Sequence, residues 1–101
     1  MYMLSKQAIF DKIAFASPQL KKYGVVKIGL FGSYVKNKQT AESDVDLLVD
    51  FEAGNKTYDN YIETIYYLEN LLNAKVELVT RQSLSKFIGP HILKEVEYVA
   101  I

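Results

Sequence analysis

Two short motifs, Gly32-Ser33 and Asp44-Val45-Asp46, constrain the fold of this chain more than any other feature. An apolar run from Val25 to Phe31 precedes the first motif, and Leu47-Leu48-Val49 follows the second. Both runs are typical of buried strands, because they are short and almost wholly apolar. The pattern therefore predicts a glycine and a hydroxyl group at the end of one strand and two carboxylates on the next.

The length and composition predict a single domain spanning residues 1–101. The chain has 101 residues and is 50% hydrophobic, which is enough for one compact core. It has no cysteine, which excludes disulfides, thiolate metal sites and cysteine nucleophiles. No apolar run approaches the ~18 residues of a membrane span, and the first residues lack the apolar segment of a secretory signal. We expect a cytoplasmic protein without a membrane partner.

The charge distribution is uneven although the formal net charge is zero. Residues 1–27 carry five basic side chains and one acid, whereas residues 28–52 carry two basic side chains and five acids. A highly anionic ligand could bind the acidic central stretch only together with cations, which points toward metal ions. The zero net charge also argues against nucleic acid as a partner.

The remaining periodicities predict helices and strands around this centre. We expect a helix over residues 5–16 capped by Ser5, a second helix from a Ser17 cap to Gly24, a strand over residues 44–51, an amphipathic helix over residues 57–73, a strand over residues 75–79 and a short helix over residues 92–96. Residues 34–43 are predicted to form a helical turn and a loop, and residues 98–101 an edge strand or a packed tail. A strand, a helix and a strand of these lengths predict a crossover within one sheet.

The two aspartates of the second motif lie on one face of the predicted strand, since side chains alternate along it. Glu77 interrupts the apolar strand around it, and an unpaired buried carboxylate there would be costly. If the two strands are neighbours, Asp44, Asp46 and Glu77 form a cluster that favours Mg²⁺ or Mn²⁺ and can hold two ions about 4 Å apart. Asp50 shares their parity but lies about 13 Å beyond Asp46, so we exclude it.

The glycine and serine of the first motif suit a phosphate group. Glycine lets a phosphate approach the backbone, exposed N–H groups bind its oxygens, and the serine hydroxyl adds a donor. The dipeptide alone is a weak signal, and its value comes from the strand before it and the carboxylates after it. Lys36 and Lys38 are interpreted as solvated loop charges, with phosphate contact as the alternative.

Other interpretations of the acidic motif stay open on the residues alone. Ser43-Asp44 could cap a loop, and Asp46 could be a solvated residue of an edge strand. An EF-hand is excluded because Leu48 stands where an oxygen ligand is needed, and a P-loop is excluded because its Gly-Lys-Ser/Thr is missing. His91 follows Gly89-Pro90 and is interpreted as a surface or capping residue.

The two motifs together resemble those of the DNA polymerase beta-like nucleotidyltransferase superfamily. The matching stretches are Leu30 to Tyr34 and Ser43 to Val49. The small size and the later stretch Lys75 to Thr80 are similar to the minimal nucleotidyltransferase group. The resemblance covers about residues 5–101, and the combined pattern is far more specific than either motif.

The resemblance implies an α/β fold with a small mixed sheet flanked by helices. It also implies transfer of a nucleoside monophosphate from ATP or another NTP. Gly32 and Ser33 would hold the triphosphate, Asp44 and Asp46 would coordinate two Mg²⁺ ions, and Glu77 would complete the site and help to activate the incoming hydroxyl. Members often carry a small residue, arginine and glycine after the first motif, where this chain has Val35-Lys36-Asn37. Lysine keeps the positive charge without bidentate geometry, and asparagine tolerates left-handed backbone.

The resemblance also implies a partner, because such domains are often paired with HEPN-domain toxins and adenylylate one of their tyrosines. The leading hypothesis is therefore a protein-modifying nucleotidyltransferase that acts as an antitoxin. The alternative is a binding module that neutralises its partner by contact alone. A small-molecule-modifying enzyme would need a substrate domain for which this chain has no room, and template-directed polymerisation is disfavoured by the zero net charge.

Overall fold

A computed structural model describes residues 4–54 and 57–101 of the chain. The helices and strands are, in order, α1 (Lys6–Phe15), α2 (Ser17–Lys22), β1 (Val25–Phe31), β2 (Val45–Phe51), α3 (Tyr58–Leu72), β3 (Val76–Thr80), α4 (Gly89–Glu95) and β4 (Glu97–Val99). Two 3₁₀ turns, Gly32–Tyr34 and Arg81–Ser83, follow β1 and β3. The expected α/β fold is confirmed.

The four strands form one mixed sheet in the order β3-β2-β1-β4. β1 pairs antiparallel with both β2 and β4, whereas β2 and β3 are parallel and are joined through α3. This connection is the predicted crossover. The topology brings the end of β1 and the beginnings of β2 and β3 to the same end of the sheet.

One face of the sheet packs against α1, α2 and α3 to form the hydrophobic core. The fully buried members include Ile9, Ile13, Leu20, Ile28, Leu30, Val45, Leu47, Val49, Leu68 and Leu72. Alternation along β2 places Val45, Leu47 and Val49 in this core and sends Asp46 to the opposite face. The predicted face is therefore confirmed for Asp46, whereas Asp44 lies just before the strand.

Several predicted element boundaries were wrong by one or more residues. β2 begins at Val45 rather than Asp44, β3 runs over Val76–Thr80, and α4 begins at Gly89 rather than Ile92. The predicted loop after β1 begins with the 3₁₀ turn at Gly32. In the described range, α3 begins and ends one residue inside the predicted bounds, with Thr57 and Asn73 as its caps.

The predicted Ser17 cap was also wrong, although Ser5 caps α1 as expected. Ala16 occupies the N-cap position of α2, and its carbonyl accepts from the Gln19 and Leu20 N–H groups. The Ala16 N–H still bonds to the carbonyls at the end of α1. One residue thus ends the first helix and begins the second, which leaves Ser17 inside α2.

The C-terminal residues form an edge strand, which was one of the two predicted alternatives. β4 pairs with Ile28, Gly29 and Leu30 of β1. A Cβ atom at Gly29 would lie 2.6 Å from Val96 Cγ2 and 2.9 Å from Tyr98 Cδ1, so the close approach of this segment requires glycine. Across the residues with described structure, we find no helix that is both long and apolar enough to span a bilayer.

Candidate active site

Gly32 lies at the end of β1, where the backbone turns into the 3₁₀ turn Gly32–Tyr34. Its φ is +79°, in the left-handed region that favours glycine. A Cβ atom at this position would collide with the Asp46 carboxylate. Both the left-handed backbone conformation and the lack of room for a Cβ atom therefore require glycine at position 32. The two sequence motifs are in direct contact.

The Asp46 carboxylate lies beside Glu77 because β2 and β3 are parallel neighbours. Asp46 is paired with Glu77 in the strand register, and the Glu77 side chain is close enough to raise the pKa of Asp46. On the other side, Asp46 is paired with Phe31, the residue before Gly32. The strand pairing thus joins the first motif, the second motif and Glu77 at one end of the sheet.

Burial is the largest factor that raises the pKa of Asp46 from its ordinary value of 3.8 to about 7. The hydrogen bond with Glu77 and the charge repulsion from it act in the same direction, followed by repulsion from Asp44 and Glu95. Three neighbouring carboxyl groups therefore concentrate negative charge around Asp46. A cation at this place would favour the ionised form of Asp46.

Asp44 precedes β2 and is exposed to solvent, whereas Asp46 is half-buried. In residues 4–54 and 57–101, no three His, Cys, Asp or Glu side chains are placed to hold a metal ion as they stand. The chemistry of the donors nevertheless fits Mg²⁺, since Asp44, Asp46 and Glu77 offer only carboxylate oxygens, and Asp44 and Glu77 both repel the charge of Asp46. An ion would relieve that repulsion.

The loop after Gly32 brings a basic side chain to the same place. The Lys36 N–H donates to the Gly32 carbonyl at 3.2 Å, and the Lys38 N–H donates to the Ser33 carbonyl at 2.9 Å. Asn37 has a φ of 58°, so asparagine adopts the left-handed conformation for which it is suited. Ser33 lies within the 3₁₀ turn and is half-buried.

Glu95, the last residue of α4, is a site residue that the sequence did not reveal. Its Oε1 accepts from the Gly32 N–H at 3.1 Å, and its Oε2 lies 3.2 Å from Lys36 Nζ. Glu95 is far from Gly32 in the chain and meets it only because β4 pairs with β1. The one available signal in the sequence was Gly29. A glycine within a strand indicates that another segment approaches β1 closely, but it does not identify that segment. His91 is exposed on α4, as predicted.

Residues 15–99 match the nucleotidyltransferase domain family, and the chain belongs to this family. The protein is a nucleotidyltransferase with the mixed-sheet fold of that group.

Relatives and solved structures agree with this assignment. The chain is 41% identical to the protein adenylyltransferase MntA of Thermococcus cleftensis over 100 residues, which cover 98% of this chain and 100% of the relative. A solved structure described as a minimal nucleotidyltransferase is 25% identical and superimposes with a TM-score of 0.83 over 96% of this chain and 98% of the other. A crystal structure of a toxin–antitoxin with AMP-PNP is 25% identical, with a TM-score of 0.70 over 88% of this chain and 70% of the other.

Proposed function

We propose that this chain transfers AMP from ATP to a hydroxyl group of a protein, a tyrosine of a HEPN-domain toxin, and so acts as its antitoxin in the cytoplasm. The observation that carries the proposal is the meeting of Gly32 and Lys36 with Asp46 and Glu77 at one end of the sheet. The adenylyltransferase relative and the toxin–antitoxin structure support the donor and the kind of partner. The resemblance of the motifs supports the HEPN identity.

The first motif is proposed to bind the triphosphate of ATP. The Gly32 N–H at the start of the 3₁₀ turn already donates to a carboxylate oxygen of Glu95, so it is placed to donate to an anion, and Ser33 adds a hydroxyl donor. Lys36 supplies a positive charge beside the Gly32 N–H, because both contact the same carboxylate in this structure. These groups offer donors to phosphate oxygens without a Walker-type loop.

Asp44, Asp46 and Glu77 are proposed to hold two Mg²⁺ ions. When bound, the ions would neutralise charge on the triphosphate and on the departing pyrophosphate. The crowding of carboxyl groups that raises the pKa of Asp46 supports a cation at this place.

Glu77 is proposed to accept the proton of the incoming hydroxyl group. The hydroxyl oxygen attacks the α-phosphorus, the bond between this phosphorus and the bridging oxygen breaks, and pyrophosphate leaves. The hydroxyl proton passes to the Glu77 carboxylate. In-line attack depends mainly on positioning and charge, which so small a site can provide.

The C-terminal segment offers a surface for a protein acceptor next to the site. Phe87 is 86% exposed and Ile88 is 61% exposed, and both directly precede α4, the helix that carries Glu95. Leu93 on the same helix is 41% exposed. Large apolar side chains that remain in solvent are typical of protein-binding surfaces.

The test is transfer of label from α-labelled ATP, with Mg²⁺, to the protein encoded next to this chain. We expect label from the wild type and a loss of at least about a hundredfold for Asp44→Asn and Glu77→Gln, because charge stabilisation of several kcal/mol is removed. Asp50→Asn is the matched control. It lies on the same strand as Asp46 with the same parity, but pairs with Lys27 at the other end of the sheet.

The outcomes separate the enzyme from its alternative. Full activity of Asp44→Asn and Glu77→Gln would show that these two carboxylates do not form the catalytic site. Absence of label in the presence of a tight complex would instead identify a binding module that neutralises by contact. Mapping of the labelled residue by mass spectrometry tests whether the acceptor is a tyrosine.

A further inference from the structure

We infer that Glu95 occupies the triphosphate-binding position of the resting protein and must be displaced before a nucleotide binds. The inference rests on the proposed function, because it takes the Gly32 N–H and Lys36 as phosphate-binding groups. In the structure, one carboxylate satisfies both. Its two oxygens lie 3.1 Å from Gly32 N and 3.2 Å from Lys36 Nζ.

The carboxylate mimics a phosphate in charge and in geometry. An anion with two oxygens bridges a backbone N–H at a turn and a lysine ammonium, which is how a phosphate oxygen pair would be bound. The Glu95 side chain is 25% exposed, whereas the Lys36 side chain is 55% exposed. The contact is therefore partly sheltered yet open enough to be exchanged.

The strand register holds Glu95 in this position. Ile28, Gly29 and Leu30 of β1 face Val99, Tyr98 and Glu97 of β4. Extending this antiparallel register by two residues places Glu95 opposite Gly32. α4 ends at that point, so the Glu95 side chain rather than its backbone carbonyl takes the Gly32 N–H.

The negative charge of Glu95 acts on the catalytic end of the site as well. It contributes to the repulsion that raises the pKa of Asp46. A nucleotide triphosphate carries more negative charge than the carboxylate that it would replace. Removal of Glu95 should therefore free two donors and lessen the repulsion of an anionic ligand, and both effects favour nucleotide binding.

The experiment is calorimetric titration of the full chain with ATP in Mg²⁺ and with inorganic tripolyphosphate in EDTA. For Glu95→Ala we expect the Kd of both ligands to fall about tenfold, since each must otherwise break a charge-assisted hydrogen bond. Glu95→Gln keeps an oxygen acceptor but loses the charge, so we expect a fall of about threefold. Glu97→Gln is the control, because Glu97 belongs to the same tail but pairs with Lys6 at 3.2 Å.

An unchanged or higher Kd for Glu95→Ala, with normal binding by the wild type, would overturn the inference and leave the proposed function standing. Higher Kd values only in Mg²⁺ would make Glu95 a ligand-binding residue instead. Failure of every variant to bind either ligand would reject the proposed function, and the inference with it.

A second measurement tests the contact without any ligand. The chain has only five glycines, whose amide resonances are readily resolved by NMR. We expect the Gly32 amide to exchange with solvent faster in Glu95→Ala than in the wild type or in Glu97→Gln. Equal exchange rates in all three proteins would contradict the hydrogen bond on which the inference depends.

Discussion

Burial and neighbouring carboxyl groups raise the pKa of Asp46 to about 7, so folding changes the proton affinity of this side chain. An unfolded chain releases the proton near the ordinary value of 3.8. Between these two values the folded protein binds more protons than the unfolded chain. The stabilisation that protonated Asp46 provides is therefore complete below the lower value and is lost as the pH rises through about 7.

Asp46→Asn should raise the melting temperature in EDTA at about pH 8.5, because it removes a charge that is partly buried among other carboxylates. The difference from the wild type should shrink toward about pH 4.5, where Asp46 is protonated and resembles the amide. Thermal unfolding followed by circular dichroism across this range measures both effects. Asp50→Asn is the control from the far end of β2, and a gain for Asp46→Asn that did not vary with pH would contradict the electrostatic explanation.

The contact between the two motifs was predictable from the sequence, but the groups that surround it were only partly so. Strand parity correctly placed Asp46 on the face opposite the core, and the Asp46–Glu77 pairing followed from the predicted crossover. Glu95 could not be predicted, because no local pattern states which residue of a C-terminal tail will meet Gly32. Its position depends on a strand register that only the folded chain defines.

At the scale of the elements, the end of α3 controls how β3 enters the sheet. Asn73 caps the helix in the left-handed conformation with a φ of 50°, and its N–H bonds to the Glu69 carbonyl. The Glu69 side chain in turn accepts from the Val76 N–H at 3.1 Å, at the first residue of β3. This short segment therefore links the helix to the strand that carries Glu77.

Asn73→Ala should lower the free energy of unfolding by about 1 kcal/mol, because alanine is strained in the left-handed region. Asn73→Gly should be neutral or stabilising, since glycine adopts this conformation freely. Urea denaturation measures the free energy of unfolding of both variants. Asn70→Ala is the matched control on the exposed surface of α3. A loss for Asn70→Ala as large as that for Asn73→Ala would show that the capping conformation is not the cause.

The sequence predicted the main elements well where a single periodicity dominated. β1 matches its predicted bounds, and α3 differs by one residue at each end. The errors lie where two local rules compete. The Ser17-Pro18 pair suggested a new cap, yet the last turn of α1 continues through Ala16, so tertiary packing of two short helices overrode the capping preference.

At the scale of the whole molecule, one core joins β1, β2 and β3 to α1, α2 and α3 through buried side chains. We therefore propose that the chain is a single cooperative domain. Far-UV circular dichroism and tyrosine fluorescence should report the same unfolding transition, with eight tyrosines and no tryptophan as the fluorescent groups. Two separate transitions would contradict the single domain.

Unfolding of core and surface variants, followed by the same signals, tests the position of the core. Leu47→Ala should cost about 2 to 5 kcal/mol, because Leu47 is fully buried in β2. Phe15→Ala removes a larger side chain that is 87% exposed, and should cost less than about 0.5 kcal/mol. Similar losses for the two variants would place the core elsewhere.

The sheet order has a consequence for how the site forms during folding. Phe31, the residue before Gly32, and Asp46 belong to neighbouring antiparallel strands joined by residues 32–44, whereas Glu77 reaches Asp46 only after the chain has passed through α3. Contacts between nearby segments lose less loop entropy and can form first. Repulsion between Asp46 and Glu77 therefore opposes the docking of the edge strand β3, and leaves the earlier pairing of β1 with β2 unhindered.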